Sequence, residues 1–189
     1  MPRPLVLSRR LLLTGSLSTA LVVGLAGCNS SASTEASDEV GATEQTVFPV
    51  TVTHKYGDTV VPAEPKRVVV VGFTEQDILL ALGVAPVATT EWYGEQPYAV
   101  WPWATPALGD AKPEVIKAPD KLPLEQIAAL TPDLIMGTNA GLPEDVYASL
   151  SKIAPTIANS GKYGSDWFEP WPDQTLLVGK ALGKEAEAQ

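Results

Sequence analysis

The chain has 189 residues, with 22 acidic against 13 basic side chains, a formal charge of −9, one His and one Cys. The first 27 residues hold three arginines and no acid, so the remainder carries −12, which excludes the basic stripe that a nucleic-acid partner demands. A single Cys excludes any internal disulfide.

Taken in chain order, residues 1–10 carry Arg3, Arg9 and Arg10, residues 11–27 are uncharged and mostly apolar, and Cys28 precedes the polar run NSSASTEAS. A basic head, a short apolar core and small residues before a cut form an export signal over 1–27, which is set aside from the fold. Ser8-Arg9-Arg10-Leu11-Leu12 loosely resembles a twin-arginine signal, with general secretion as the alternative. Leu25-Ala26-Gly27-Cys28 resembles a bacterial lipobox, which implies cleavage before Cys28 and attachment of two or three acyl chains to it. At about 0.8 kcal/mol per buried methylene, that many chains hold a protein on a membrane where one would not. Residues 28–46 have almost nothing to bury and read as a flexible tether.

Residues 47–189 are long enough for one domain with a core. Val47–Thr53 is β-branched and reads as a strand, His54–Thr59 as a turn, and Thr59–Pro62 as the second strand of a hairpin. Val68–Val71 is apolar on both sides, as expected inside a covered parallel sheet. Thr74 and Glu75 are placed to cap a helix over Glu75–Leu82 closed by Gly83, and Val84–Thr90 is the next strand. Strand, helix and strand make a right-handed βαβ unit. Residues 91–111 are aromatic, broken by Pro and without period. Leu124–Leu130 reads as a short helix, Leu134–Gly137 as a buried strand, Pro143–Leu150 as a helix, and Lys152–Ile157 leads into a further strand. From Pro172 onward a helical period runs to the last residue with Gly179 and Gly183 inside it.

The catalytic inventory is poor: no nucleophile elbow, zincin motif, dinucleotide fingerprint or phosphate loop is present. His54, beside Lys55 in a turn, reads as a surface histidine, and no His/Cys/Asp cluster points to a metal site. The aromatic residues are more informative. Phe73, Trp92, Tyr93, Tyr98, Trp101, Trp103, Trp167 and Trp171 all fall after strands or in loops. Ligands of open α/β sheets bind at the carboxyl ends of the strands. Trp92 and Trp171 are open to a second reading as core fillers, whereas Trp101 and Trp103, one residue apart around a Pro, read as ligand-facing apolar surface.

The order PKRVVVVGFTEQDILLALGVAPVATT, LPLEQIAALTPDLIMG, YASLSKIAPTI resembles the iron-siderophore class of ABC-transporter substrate-binding lipoproteins, a family that also takes haem and cobalamin. The resemblance covers residues 47–189. It implies an α/β fold of the class III periplasmic-binding-protein type, with a mostly parallel sheet flanked by helices. Residues 47–169 then form the N-terminal ligand-binding lobe, and 170–189 begin the helix linking it to a second lobe that the sequence lacks, either as a fragment or as a natural truncation. On this resemblance the ligand-facing residues are Phe73, Thr74, Trp92, Tyr93, Trp101, Trp103, Asn139 and Trp167, and Glu125 docks on the permease. The implied function is binding, not catalysis: capture of a ferric siderophore at the outer face of the cell membrane and delivery to an ABC permease and its ATPase. Iron arrives inside its chelate, so no cofactor and no protein metal ligands are expected. Haem or cobalamin binding, an envelope enzyme and a non-transporting interaction protein are the alternatives.

Overall fold

A computed structural model describes residues 47–189 apart from Pro119 and Phe168. The expected export signal of 1–27, the expected lipid-bearing Cys28 and the expected tether of 28–46 lie outside the described residues.

The sheet follows from the two apolar runs. β3 (Val68–Val70) and β6 (Leu134–Gly137) are wholly buried and pair in parallel, Val69 opposite Ile135. β4 (Ala88–Thr90) pairs with β3 on its other side and β5 (Glu114–Ile116) pairs with β4, while β7 (Thr156–Ala158) closes the far edge beside β6. The order is β5-β4-β3-β6-β7, all parallel. Alternation along β3 divides the core in two. Val68 and Val70 pack with α1 (Glu75–Ala81) and α5 (Trp171–Ala181), while Val69 and Val71 pack with α3 (Leu124–Ala129) and α4 (Glu144–Leu150). Continuous apolar sequence is what burial on both faces demands.

β1 (Val50–His54) and β2 (Gly57–Val61) form the expected hairpin, with Val52 opposite Thr59. The turn is tighter than the sequence suggests, because His54 belongs to the strand. The reading of His54 as a surface residue is overturned: it is 4% exposed. Its Nδ1 accepts the Tyr56 N–H at 3.2 Å, and Nε2 lies 2.8 Å from Thr59 Oγ1 and 3.4 Å from the Tyr147 hydroxyl. Tyr56 and Tyr147 stack at 4.5 Å, so the histidine pins the hairpin to α4. Burial pushes its pKa below the ordinary value.

Three further expectations need correction. β5 has no counterpart in the sequence reading, because a three-residue edge strand between prolines leaves no period to read. The short α2 (Thr105–Leu108) likewise falls in the stretch read as irregular. The C-terminal helix does not run through Gly183 to residue 189. Gly183 adopts φ +67°, its N–H bonds Lys180 C=O at 3.1 Å, and the Lys184 N–H bonds Gly179 C=O at 2.8 Å. These paired bonds are a Schellman cap, which ends the helix at Ala181.

Candidate functional site

In the strand order β5-β4-β3-β6-β7, the connections from β3 proceed one way and those from β6 the other, so the sheet reverses between these two strands. Loops leaving neighbouring strands for opposite faces open a crevice at their carboxyl ends. The crevice is bounded by Gly72–Thr74 after β3 and Thr138–Gly141 after β6.

Its floor is a buried carboxyl group that the sequence reading missed. Glu75, read as a helix cap, is fully buried. Its Oε1 accepts the Asn139 N–H at 2.6 Å and lies 3.2 Å from Thr138 Oγ1, and its Oε2 accepts the Thr74 N–H at 3.1 Å. Gln174 of α5 donates to Thr138 Oγ1 at 2.8 Å and to Thr74 Oγ1 at 3.2 Å, and Asn139 Nδ2 donates to the same Thr74 hydroxyl at 3.1 Å. Thr74 and Asn139 thus spend their polar atoms on each other, and Thr74 makes no side-chain cap to α1. Burial raises the Glu75 pKa, opposed by the hydrogen bonds from Asn139 and Thr74. A Cβ on Gly72 would overlap the Glu75 carboxyl, which accounts for glycine there. A Glu opening a helix is ordinarily solvated; the adjoining glycine is the one local signal of the burial.

Above this floor stands a row of aromatic rings. Trp167 stacks on Phe73 at 5.8 Å, and Phe73 on Trp92 at 5.8 Å. Trp92 meets Tyr93 edge-on at 4.6 Å, Tyr93 leans on Trp101 at 5.0 Å, and Trp101 stacks on Trp103 at 5.1 Å with the rings parallel. The structure therefore brings together the six aromatic residues expected to face the ligand, while Tyr98 and Trp171, also noted in the sequence, stand outside the row. Phe73 and Trp101 are half-buried, while Trp92, Tyr93, Trp103 and Trp167 are exposed, Trp103 at 68%. The core-filling reading of Trp92 and Trp171 is overturned; Trp171 is 74% exposed. Trp103 is oriented by a 2.8 Å hydrogen bond from its indole N–H to Asp77.

The segment that carries Tyr93 to Trp103 holds three non-glycine residues at positive φ: Glu95, Tyr98 and Ala99. Such backbone persists only where the surroundings hold it. Thr89 Oγ1 donates to Tyr98 C=O at 2.6 Å, and Gln76 Nε2 donates to Phe73 C=O at 2.9 Å and reaches Ala99 C=O at 3.4 Å. An open cavity of about 460 Å³ lies against Phe73, Trp92 and Tyr93, walled also by Glu91, Glu95 and Lys117. Flat rings at the mouth of an α/β sheet over a polar floor are equipped to seat a bulky ligand, with specificity left to the few charged groups on the wall. Glu125 stands apart from this row, exposed in the first turn of α3, and forms no ion pair among the described residues.

A parallel, doubly covered sheet with its crevice at the reversal point defines an α/β ligand-binding lobe. Residues 68–189 match the periplasmic binding protein family, and the chain belongs to that family. It is similar to a periplasmic solute binding protein of Mycobacterium smegmatis, with 53% identity and a TM-score of 0.70 over 74% of this chain and 48% of that one. It is 36% identical to the Bacillus subtilis protein named "Probable siderophore-binding lipoprotein YfiY", over 86% of this chain and 46% of the relative. Streptococcus pneumoniae PiaA in complex with ferrichrome matches with 29% identity and a TM-score of 0.66, over 74% of this chain and 46% of that one. The chain spans about half the length of the relatives it matches.

Proposed function

We propose that this chain is the ligand-binding N-terminal lobe of an extracytoplasmic substrate-binding lipoprotein, which captures a ferric siderophore for an ABC permease and its ATPase. The observation that carries this reading is the row of six rings running across the strand ends at the sheet's reversal point. Support also comes from relatives with binding-protein names, one of them solved with ferrichrome. Residues 47–169 are the lobe, and α5 leads toward the partner lobe. Phe73, Trp92, Tyr93, Trp101, Trp103 and Trp167 meet the ligand, with Thr74 and Asn139 holding the loops beneath them. Exposed Glu125 docks on the permease. Cys28 carries the lipid that keeps the protein on the outer face of the cell membrane after export through the twin-arginine or general route.

The deciding experiment is a titration of the chain, purified in mild detergent, with ferric siderophores, haem and cobalamin, followed by tryptophan fluorescence. Saturable quenching by a ferric siderophore is the expected result. A response to haem or cobalamin alone moves the reading within the family, and no response overturns it for this chain. Cys28→Ser is expected to move the protein from the membrane fraction to the medium or periplasm. Glu125→Ala is expected to lower uptake while leaving ligand affinity intact.

A further inference from the structure

The cavity beside Phe73 has a charge pattern that the rings do not account for. Three side chains that are charged at neutral pH stand on its wall: Glu91, Glu95 and Lys117. Lys117 is the one cation of the three, and its Nζ lies 3.6 Å from a Glu91 carboxylate oxygen. Its charge is balanced where it stands, and exposed Glu95 leaves the wall net negative. Arg67, the last arginine of the chain, precedes β3 and is bound to the Leu130 and Thr131 carbonyls, at the other end of the strand from the cavity. Among the described residues the cavity wall therefore offers flat apolar surface and carboxylates, with no uncompensated cation.

Ferric chelates differ sharply in charge. Three singly charged hydroxamates cancel the charge of ferric iron, whereas three doubly charged catecholates leave a strong net anion. An anionic chelate entering here meets Glu91 and Glu95 and must draw Lys117 away from Glu91. A neutral one meets no such repulsion and can lay its apolar faces on Phe73 and Trp92. Like charges set against a partner are an efficient way to refuse it. Resting on the reading above that the cavity takes a ferric chelate, we propose that this lobe selects electroneutral, hydroxamate-type chelates over anionic ones, and that the Glu91–Lys117 pair is the specificity-determining element.

The test is a fluorescence titration of the whole chain with ferrichrome, a neutral tris-hydroxamate, and with ferric enterobactin, an anionic tris-catecholate, at two salt concentrations. Wild type is expected to bind ferrichrome at least about tenfold more tightly, with the ratio narrowing at high salt as screening weakens the repulsion. Glu91→Gln leaves Lys117 unbalanced and shifts the affinity ratio toward the anion by about threefold to tenfold, the size of a screened Coulomb interaction across the cavity. Adding Lys117→Gln to that variant should abolish the shift. If Glu91→Gln fails to fold, the wild-type preference and its salt dependence decide the matter. Wild-type binding of ferric enterobactin as tightly as ferrichrome overturns the charge selection and leaves the siderophore reading standing. A shift that survives in the double variant overturns the role of the pair. No saturable response to either chelate overturns the selection for neutral chelates; only silence toward the other ferric siderophores, haem and cobalamin as well overturns the reading beneath it.

Discussion

Phe73 and Trp103 belong to one row of rings, yet the backbone under them is held in different ways. Beneath Phe73, the loops after β3 and β6 converge on the Glu75 carboxyl, which receives both the Thr74 and the Asn139 N–H groups. Beneath Trp103, the chain takes left-handed turns at non-glycine residues, receives one bond each from Thr89 and Gln76, and packs Val100, Ala104 and Leu108 on Leu80 of α1 in a small apolar cluster of its own. The first half is a rigid base shared with the core, and the second is a rim attached to it. The base is held by a polar network that fixes two loops at once, and the rim by a cluster much smaller than the two core layers, so local opening is expected to cost less at the rim.

The comparison is most easily broken at Glu75. Glu75→Ala strands two backbone donors and is expected to cost about 2–4 kcal/mol in urea unfolding; a loss under about 1 kcal/mol would mean the base is not held by this group. Phe73→Ala removes the ring that stacks on both Trp167 and Trp92. It should cost about 1–3 kcal/mol of stability and weaken ligand binding together with it. On the rim the two effects should separate. Trp101→Ala is expected to lower siderophore affinity about tenfold, and Trp103→Ala to change stability by no more than about 0.5 kcal/mol. Equal affinities with and without Trp101 would detach the rim from the ligand.

Smaller effects come from pH. The Glu75 pKa is raised in the folded state, so between the ordinary glutamate value and the raised one the folded protein keeps a proton that the unfolded chain releases. Stability should fall as pH rises through that window, and Glu75→Gln should flatten the slope. His54, in the hairpin away from the rings, behaves in the opposite sense. Its pKa is lowered by burial, so the stability of its neutral form is present above the ordinary histidine value and is lost as pH falls toward the lowered one. Thermal melts between neutral and mildly acidic pH, with His54→Asn as the comparison, measure this contribution.

Much of the base was legible. Val68–Val71 and Leu134–Gly137 have the unbroken apolar character of strands covered on both faces, and they form the centre of the sheet. The aromatic residues after the strand ends stand out because loops ordinarily carry few large rings. Other features were hidden for identifiable reasons. Glu114-Val115-Ile116 is too short to show a period, and its place at the edge depends on its pairing with β4. The helical period of the sequence runs past Gly183, although a glycine past the last apolar position is the usual mark of a helix end.

The sequence by itself determined the parallel core, the hairpin before it and which aromatic residues stand at strand ends, because hydrophobic period and turn residues act locally along the chain. Only the tertiary structure decided that six rings from three separate segments form one row, that Glu75 and His54 are buried, and that Lys117 is balanced by Glu91. These outcomes depend on which loops the strand order brings together. Burial, charge compensation and ring stacking are relations between residues far apart in the chain, so no local pattern of residue types records them.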